Sequence, residues 1–171
     1  VTIRLLDPPL HEFLPNPDTL MDKIYKKKDK SEKTMRVLDR ARDLAETNPM
    51  MGHSGVRVGI TYPEIYRMQI KAVFEAVAQL TKSKVDARPQ IMIPQVGSIA
   101  ELNYIKNIYD EVKKEMQKKF KMKFNINFGT MLEVVRACLT AGELADTAEF
   151  FSFGTNDFTQ VVFRVDIEDV K

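Results

Sequence analysis

The segment Gln90-Ile-Met-Ile-Pro-Gln-Val-Gly-Ser-Ile-Ala-Glu101 decides the fold class, because it joins a strand to a helix over a short stretch. Gln90–Ile93 is an apolar run of the kind found in buried strands. Ser98 and Glu101 have the spacing of a capping box, in which the two residues exchange side-chain and backbone hydrogen bonds and start a helix. Apolar residues then recur at helical spacing: Leu102, Ile105, Ile108, Tyr109, Val112 and Met116. The segment therefore predicts one strand–helix unit.

The same alternation of short apolar runs and amphipathic segments extends in both directions. Further strands are predicted at Val1–Leu6, Val56–Ile60, Asn125–Phe128 and Glu149–Phe153. Helices are predicted within Asp18–Lys33, where a loose connection interrupts them, and at Thr34–Glu46, Pro63–Lys82 and Leu132–Ala148. This pattern indicates an α/β protein with a parallel sheet. An open sheet and a partial (β/α)8 TIM barrel fit it equally well, and 171 residues are fewer than the roughly 250 of a closed barrel.

Composition is that of an ordinary soluble globular protein. Hydrophobic residues make up 44% and charged residues 29%, and 26 Lys and Arg against 24 Asp and Glu leave a net charge of +2, so we expect no nucleic-acid partner. The single cysteine excludes an intrachain disulfide framework. No stretch approaches the roughly twenty apolar residues that cross a bilayer. We therefore expect a cytoplasmic protein without membrane contact. Because the first residue is Val1, we also expect the chain to begin inside a longer protein.

Polar residues follow the predicted strands, at the sheet edge where parallel α/β proteins bind ligands. Glu133 and Asp157 come just after two apolar runs. Two carboxylates from neighbouring strands suit Mg²⁺, which takes few protein oxygens and leaves other positions to water and substrate. Structural roles are the alternative: Glu133 as a favourable charge in a first helical turn, and Asp157 as a helix cap. Spacing alone favours these structural roles.

Other candidates carry weaker signals. Arg4 lies in an apolar strand and needs an anionic partner, which is a ligand or simply Asp7. Gly154-Thr-Asn-Asp157 has the composition of a turn into a helix, where backbone donors hold an anion. The two histidines, His11 and His53, do not have metal-ligand spacing. Cys138 falls inside a predicted helix, where a small buried residue is favoured over a nucleophile.

Five strings together resemble the pyruvate, phosphate dikinase family, in that family's order. They are Arg4-Leu-Leu-Asp-Pro-Pro-Leu-His-Glu-Phe13, Asn48-Pro-Met-Met-Gly-His53, Ile60-Thr-Tyr-Pro-Glu-Ile65, Phe128-Gly-Thr-Met-Leu-Glu133 and Phe150-Phe-Ser-Phe-Gly-Thr-Asn-Asp157. The Gly-Thr-Asn-Asp string also resembles phosphoenolpyruvate (PEP) synthase and enzyme I of the sugar phosphotransferase system. The Leu-Asp-Pro-Pro string is particular to the dikinase family.

The resemblance implies a (β/α)8 barrel that binds PEP or pyruvate and passes a phosphoryl group between a phosphohistidine domain and pyruvate. It implies that Arg4 binds the phosphate and that Glu133 and Asp157 hold Mg²⁺, which holds the pyruvate enolate. Gly154, Thr155 and Asn156, with Asp157, would line the substrate site. A nucleotide-binding domain is the other partner implied. The resemblance therefore favours Mg²⁺ binding by Glu133 and Asp157 over the structural roles that spacing alone favoured.

The sequence differs from the family pattern at positions that bear on activity. Ser54 stands where the family has a second phosphate-binding Arg, for which Arg57 is a possible substitute, and Val135 replaces a Pro. The family's catalytic cysteine lies on a later strand, and Cys138 does not replace it. We therefore expect residues 1–171 to form one domain, an incomplete barrel lacking the family's first and last strands, inactive alone and prone to self-association. The alternatives are a diverged non-catalytic PEP-binding or regulatory relative, and a fragment of PEP synthase or enzyme I.

Overall fold

The computed structural model describes residues 1–26, 31–45 and 52–164 of the chain. These residues form two compact units. The sheet unit contains residues 1–7 and the described residues from Gly55 onward, and the helical unit comprises Pro8–Ser54.

The sheet unit is built on four parallel strands: β1 (Thr2–Arg4), β2 (Gln90–Ile93), β3 (Asn127–Leu132) and β4 (Phe151–Phe153). They lie side by side in chain order, with Ile3 opposite Ile91 and Ile91 opposite Phe128. Sequential parallel strands without a reversal of order are the arrangement along a β/α barrel, whereas doubly wound sheets reverse their order. The described sheet is thus a mixed α/β arrangement consistent with part of a barrel.

The helical unit contains a 3-10 helix (Leu10–Phe13) and the helices α1 (Pro17–Tyr25) and α2 (Glu32–Asp43). The Asn16 side chain caps α1 by accepting the Asp18 N–H at 2.7 Å. The unit has a small apolar core, formed by Leu20, Ile24, Leu38 and Ala41. The predicted connection around Lys28 lies outside the described residues, whereas the predicted helix at Thr34–Glu46 is wrong in its bounds, since α2 begins at Glu32 and ends at Asp43.

Six helices complete the sheet unit: α3 (Val56–Thr61), α4 (Pro63–Lys82), α5 (Ile99–Phe120), α6 (Val135–Leu139), α7 (Ala141–Leu144) and α8 (Thr155–Phe163). The predicted bounds of α4 and the predicted β2 strand are confirmed, and so is the capping box between Ser98 and Glu101. Helices α4 and α5 pack against each other, and their apolar faces join the sheet in one core. Phe74 and Phe128 both stack at an angle on the Tyr109 ring, at centroid distances of 5.6 and 5.2 Å. This core packs the helices against the strands of the sheet.

The predicted strand at Val56–Ile60 is wrong, since these residues form α3. Their β-branched side chains favour strands, but tertiary packing overrides that preference. Val56 and Val58 are fully buried, and Gly59 lies so close to the Tyr66 ring that a Cβ there would come within 2.5 Å of it.

The predicted helix at Leu132–Ala148 is also wrong in its bounds. Strand β3 continues through Leu132, so the predicted strand at Asn125–Phe128 begins and ends too early. Two short helices, α6 and α7, occupy the rest. Strand pairing explains the extension, because Thr130 lies opposite Ile93 of β2 and Phe151 of β4 and its hydroxyl donates to the Ile93 carbonyl at 2.8 Å. Within the described ranges, no helix is long and apolar enough to cross a membrane.

Candidate functional site

The carboxyl edge of the sheet brings together four of the predicted site residues and their neighbours. Arg4 ends β1, Glu133 directly follows β3, and Gly154 separates β4 from α8. Asp157 lies in the first turn of α8. Parallel strands present their carboxyl ends at one edge, and ligands of α/β proteins bind there. The sheet therefore places Arg4, Glu133, Gly154 and Asp157 along one edge.

Glu133 is the buried acid of this edge, with 7% of its surface exposed. Its Oε1 accepts the Gln95 backbone N–H at 2.5 Å. Burial, together with the weaker effect of the negative charges of Asp7 and Asp157, raises the pKa of Glu133 to about 7, although the Gln95 hydrogen bond and the Arg4 charge act to lower it. The surroundings of Glu133 therefore destabilise its ionised, negatively charged form.

Gly154 allows the two carboxylates of the edge to approach. A Cβ at this position would lie 2.5 Å from the Glu133 Cβ, so only glycine fits without a shift. The same point is 3.2 Å from Glu133 Oε2 and 3.1 Å from Asp157 Oδ2. The two carboxylate oxygens are therefore no more than about 6 Å apart, so a cation bound to one of them could also interact with the other, directly or through a water.

Arg4 forms an ion pair with Asp7 at the other end of the edge. Arg4 Nη1 lies 3.2 Å from Asp7 Oδ2, and 46% of the Arg4 side chain is exposed. The side-chain amide of Gln95 donates to the second oxygen, Asp7 Oδ1, at 3.0 Å. The sequence alternative of Asp7 as a partner for Arg4 is confirmed, and the exposed part of the guanidinium still faces solvent.

The donor set fits a divalent cation held by few protein ligands. Two carboxylates, Glu133 and Asp157, face each other, and the charge of the buried one is destabilised by burial and by acidic neighbours. A cation between them would offset that penalty, and hard oxygen ligands suit Mg²⁺. Among the described residues, no group of three or more His, Cys, Asp or Glu side chains has metal-binding geometry. A Mg²⁺ ion here would take its remaining ligands from water and substrate.

The structure does not agree with the helix-end roles that spacing favoured for Glu133 and Asp157. Glu133 is not in a first helical turn, because α6 begins at Val135 after Val134 at its N-cap. Asp157 does not cap α8, whose N-cap is Gly154, although it supplies an acidic charge in the first turn. Thr155 and Asn156 are exposed in that same turn. Burial of Glu133 against a backbone donor from the loop after β2 is therefore a tertiary arrangement rather than a helix-end effect.

The remaining candidates are distributed elsewhere. Cys138 is exposed on α6, so the expectation of a buried cysteine is wrong. The short five-residue α6 explains this, since Ala137 is its buried residue. His11, His53 and Ser54 belong to the helical unit, where the buried Ser54 hydroxyl donates to the Gly52 carbonyl at 3.4 Å.

Sequence reasoning missed Gln95 and gave Asp7 only a minor part. Gln95 lies two residues past β2, and the rule that polar residues after a strand mark a ligand edge would have found it. The hydrogen bond to Glu133 could not be predicted from the residue type, because the donor is the backbone N–H of Gln95.

Comparison with known proteins assigns the class. Residues 1–171 match the family model described as "PEP-utilising enzyme, PEP-binding domain", and the chain belongs to this family. Among its relatives are pyruvate, phosphate dikinases. The protein of Entamoeba histolytica is 48% identical over 99% of this chain and 20% of its own length. The dikinase of Clostridium symbiosum is 42% identical over 99% of this chain and 19% of its own length. The chloroplastic dikinase 1 of Arabidopsis thaliana is 45% identical over 99% of this chain and 18% of its own length. The chain spans about a fifth of the length of these relatives.

Burial of Glu133 predicts a pH dependence of stability. Because its pKa is raised from 4.5 to about 7, the folded state binds more protons than the unfolded state between these values, and stability falls as pH rises through this window. Without Mg²⁺, we expect the free energy of unfolding of wild type minus that of Glu133→Gln to fall by roughly 2 to 3 kcal/mol between pH 4.5 and pH 8. Urea unfolding in chelator at both pH values measures this difference. An unchanged difference would show that the Glu133 carboxylate is not destabilised.

Proposed function

We propose that the chain is the PEP- and pyruvate-binding part of a pyruvate, phosphate dikinase, in which a phosphoryl group passes between a phosphohistidine domain and pyruvate. One observation carries this proposal: buried Glu133 faces Asp157 across Gly154, at the sheet edge where Arg4 also lies. Membership of the PEP-binding family and similarity to dikinases support it.

In this proposal, Glu133 and Asp157 hold Mg²⁺. A bound Mg²⁺ supplies positive charge beside the substrate oxygens on which negative charge develops. Arg4 binds the phosphate, because a guanidinium presents a planar fork of donors that matches phosphate oxygens. Its ion pair with Asp7 orients the fork while nearly half of the side chain stays accessible.

The first turn of α8 completes the proposed substrate site. The first N–H groups of a helix lack intrahelical partners and favour negatively charged groups. Thr155 and Asn156 are exposed there, next to Gly154, whose own N–H donates to the Leu132 carbonyl at 2.9 Å. That bond fixes the turn against β3, and in this proposal Thr155 and Asn156 contact the substrate.

Phosphoryl transfer would need more than this chain. The resemblance implies a catalytic cysteine on a later strand, whereas Cys138, the one cysteine of the chain, is exposed on α6. A phosphohistidine domain and a nucleotide-binding domain would be supplied by a longer enzyme. We therefore propose that the chain by itself binds PEP without completing the reaction.

A non-catalytic PEP-binding relative is the second candidate. Ser54, at the position of the family's second phosphate-binding Arg, is a buried neutral side chain that bonds the Gly52 carbonyl. Arg57, three residues on, is exposed on α3. One phosphate-binding charge fewer would weaken stabilisation of the transferring group more than binding of PEP itself. The cytoplasmic location and self-association stay predictions.

Calorimetric titration of PEP into the purified chain tests the proposed function. We expect binding that requires Mg²⁺, because the carboxylate pair repels the PEP anion unless a cation lies between them. Ca²⁺ serves as a control for cation size, since Mg²⁺ demands a tighter octahedral arrangement. Absence of binding in a chain that unfolds cooperatively, or binding of equal strength in chelator, would contradict the proposal.

A further inference from the structure

Gln95 adopts a backbone conformation that its residue type disfavours. It follows Pro94 at the end of β2 and has φ of +56°, in the left-handed region that side chains with a Cβ seldom occupy. Such a residue costs stability and persists only where the surroundings impose it. The contacts on both its backbone and its side chain identify these surroundings.

Two hydrogen bonds make Gln95 the link between the two halves of the proposed site. Its backbone N–H donates to Glu133 Oε1 at 2.5 Å, and its side-chain amide donates to Asp7 Oδ1 at 3.0 Å. Asp7 uses its other oxygen for the ion pair with Arg4. One continuous chain of polar contacts thus runs from Arg4 at the end of β1 through Asp7 and Gln95 to Glu133 after β3.

The backbone around Asp7 is fixed independently of this chain of contacts. The Tyr66 hydroxyl donates to the Leu6 carbonyl at 2.9 Å, and the Leu6 N–H donates to Gln69 Oε1 at 3.0 Å. The Asp7 carbonyl accepts the Gly55 N–H at 2.9 Å. The main chain of Asp7 is therefore held without Gln95, and what the Gln95 amide sets is the orientation of the Asp7 carboxylate.

Gly55 makes room for the Gln95 side chain. A Cβ at Gly55 would lie 2.8 Å from the Gln95 Cβ and 3.0 Å from its Cγ, and Gly55 itself has φ of +57°. The next residue, Val56, donates its N–H to the Pro94 carbonyl at 3.1 Å. The Gln95 side chain is thus confined between the Gly55 backbone and Asp7, with its amide aimed at the carboxylate.

We propose that Gln95 is a positioning residue that holds the Arg4 guanidinium, through Asp7, at a fixed place relative to Glu133. This inference rests on the proposed function, in which Arg4 binds the phosphate of PEP and Glu133 the metal. A ligand with a phosphate at one end and metal-bound oxygens at the other binds best when both groups are already in place. Arg4 is long and half exposed, so the orientation of Asp7 decides how often its guanidinium is in place.

The test is Gln95→Met, which keeps the length of an unbranched side chain and the backbone N–H to Glu133 but removes the amide. Two probes are titrated in Mg²⁺: PEP, and oxalate, a phosphate-free dianion that chelates Mg²⁺. We expect the Kd of PEP to rise roughly tenfold, as for loss of a charge-assisted contact, and the Kd of oxalate to stay within about twofold. Gln79→Met, the same change at an exposed position of α4, is the matched control and leaves both unchanged.

A double-mutant cycle with Asp7→Asn separates positioning from a general structural effect, because contacting residues couple and distant ones add. Since Gln95 acts through the Asp7 carboxylate, Gln95→Met should weaken PEP little further in the Asp7→Asn background. Three results would overturn the inference while leaving PEP binding by wild type in place. They are an unchanged Kd of PEP in Gln95→Met, an equal rise in the Kd values of PEP and oxalate, and full additivity of the two substitutions. Failure of wild type to bind either probe would instead refute the proposed function, and the inference would fall with it.

Discussion

Glu133→Gln is expected to raise the Kd of PEP in Mg²⁺ at least about 100-fold, since changes even to residues around a metal's ligands cost 10- to 100-fold. The substitution keeps the shape of the side chain, and the glutamine carbonyl still accepts the Gln95 N–H. It removes the charge that would hold the cation. Titration of PEP at pH 8 measures the loss.

The same variant should be more stable than wild type at pH 8 in the absence of Mg²⁺. Burial and the charges of Asp7 and Asp157 penalise the ionised carboxylate, and a neutral amide escapes that penalty. Loss of binding together with a higher thermal midpoint is the signature of a functional charge retained against stability. Glu143→Gln, at an exposed position of α7, should change neither property. Unaltered Mg²⁺-dependent binding in Glu133→Gln would exclude Glu133 as a metal ligand.

The elements that the sequence predicts well are those whose signals are local. Helix α4 runs over twenty residues of apolar periodicity and has Pro63 in its first turn, so its bounds follow from the pattern. The capping box of Ser98 and Glu101 contains its own hydrogen-bond partners. Neither feature depends on distant parts of the chain.

The elements predicted wrongly depend on distant contacts. Residues Val56–Thr61 have strand propensity yet form α3, because its first turn is bonded to the loops after β1 and β2 and Gly59 packs on the Tyr66 ring. The end of β3 is likewise set by pairing with β4, and not by the residues around Leu132. Periodicity over a short window does not contain this information.

The candidate site likewise has parts that the sequence predicts and parts that it does not. Resemblance to the dikinase family named Arg4, Glu133 and Asp157, and the structure brings them to one sheet edge. The backbone of Gln95, which bonds the buried carboxylate, was invisible because any residue type can supply an N–H. The side chains that meet at this edge could therefore be named from the sequence, whereas the backbone contacts that position them could not.

Gly129 is the position where a single methyl group should damage this framework most. It lies in β3 opposite Met92, and a Cβ there would meet the Phe150 carbonyl oxygen and come within 2.5 Å of the Phe150 ring. The Phe150 carbonyl accepts the Thr130 N–H at 3.3 Å, so it moves away only by breaking the junction of β3 with β4. Glycine is thus what allows β4 to approach and to deliver Gly154 and Asp157 to Glu133.

We therefore expect Gly129→Ala to lower the free energy of unfolding by more than about 3 kcal/mol, the upper range for overpacking a core. Urea unfolding at constant pH measures this loss. Gly142→Ala is the matched control, because a Cβ at Gly142 meets nothing within 4 Å and alanine favours the α7 helix by up to about 1 kcal/mol. If both variants were equally stable, β4 would not lie against Gly129. The carboxylate pair would then have to be brought together by another route, because Glu133 and Asp157 approach each other through the pairing of β3 with β4.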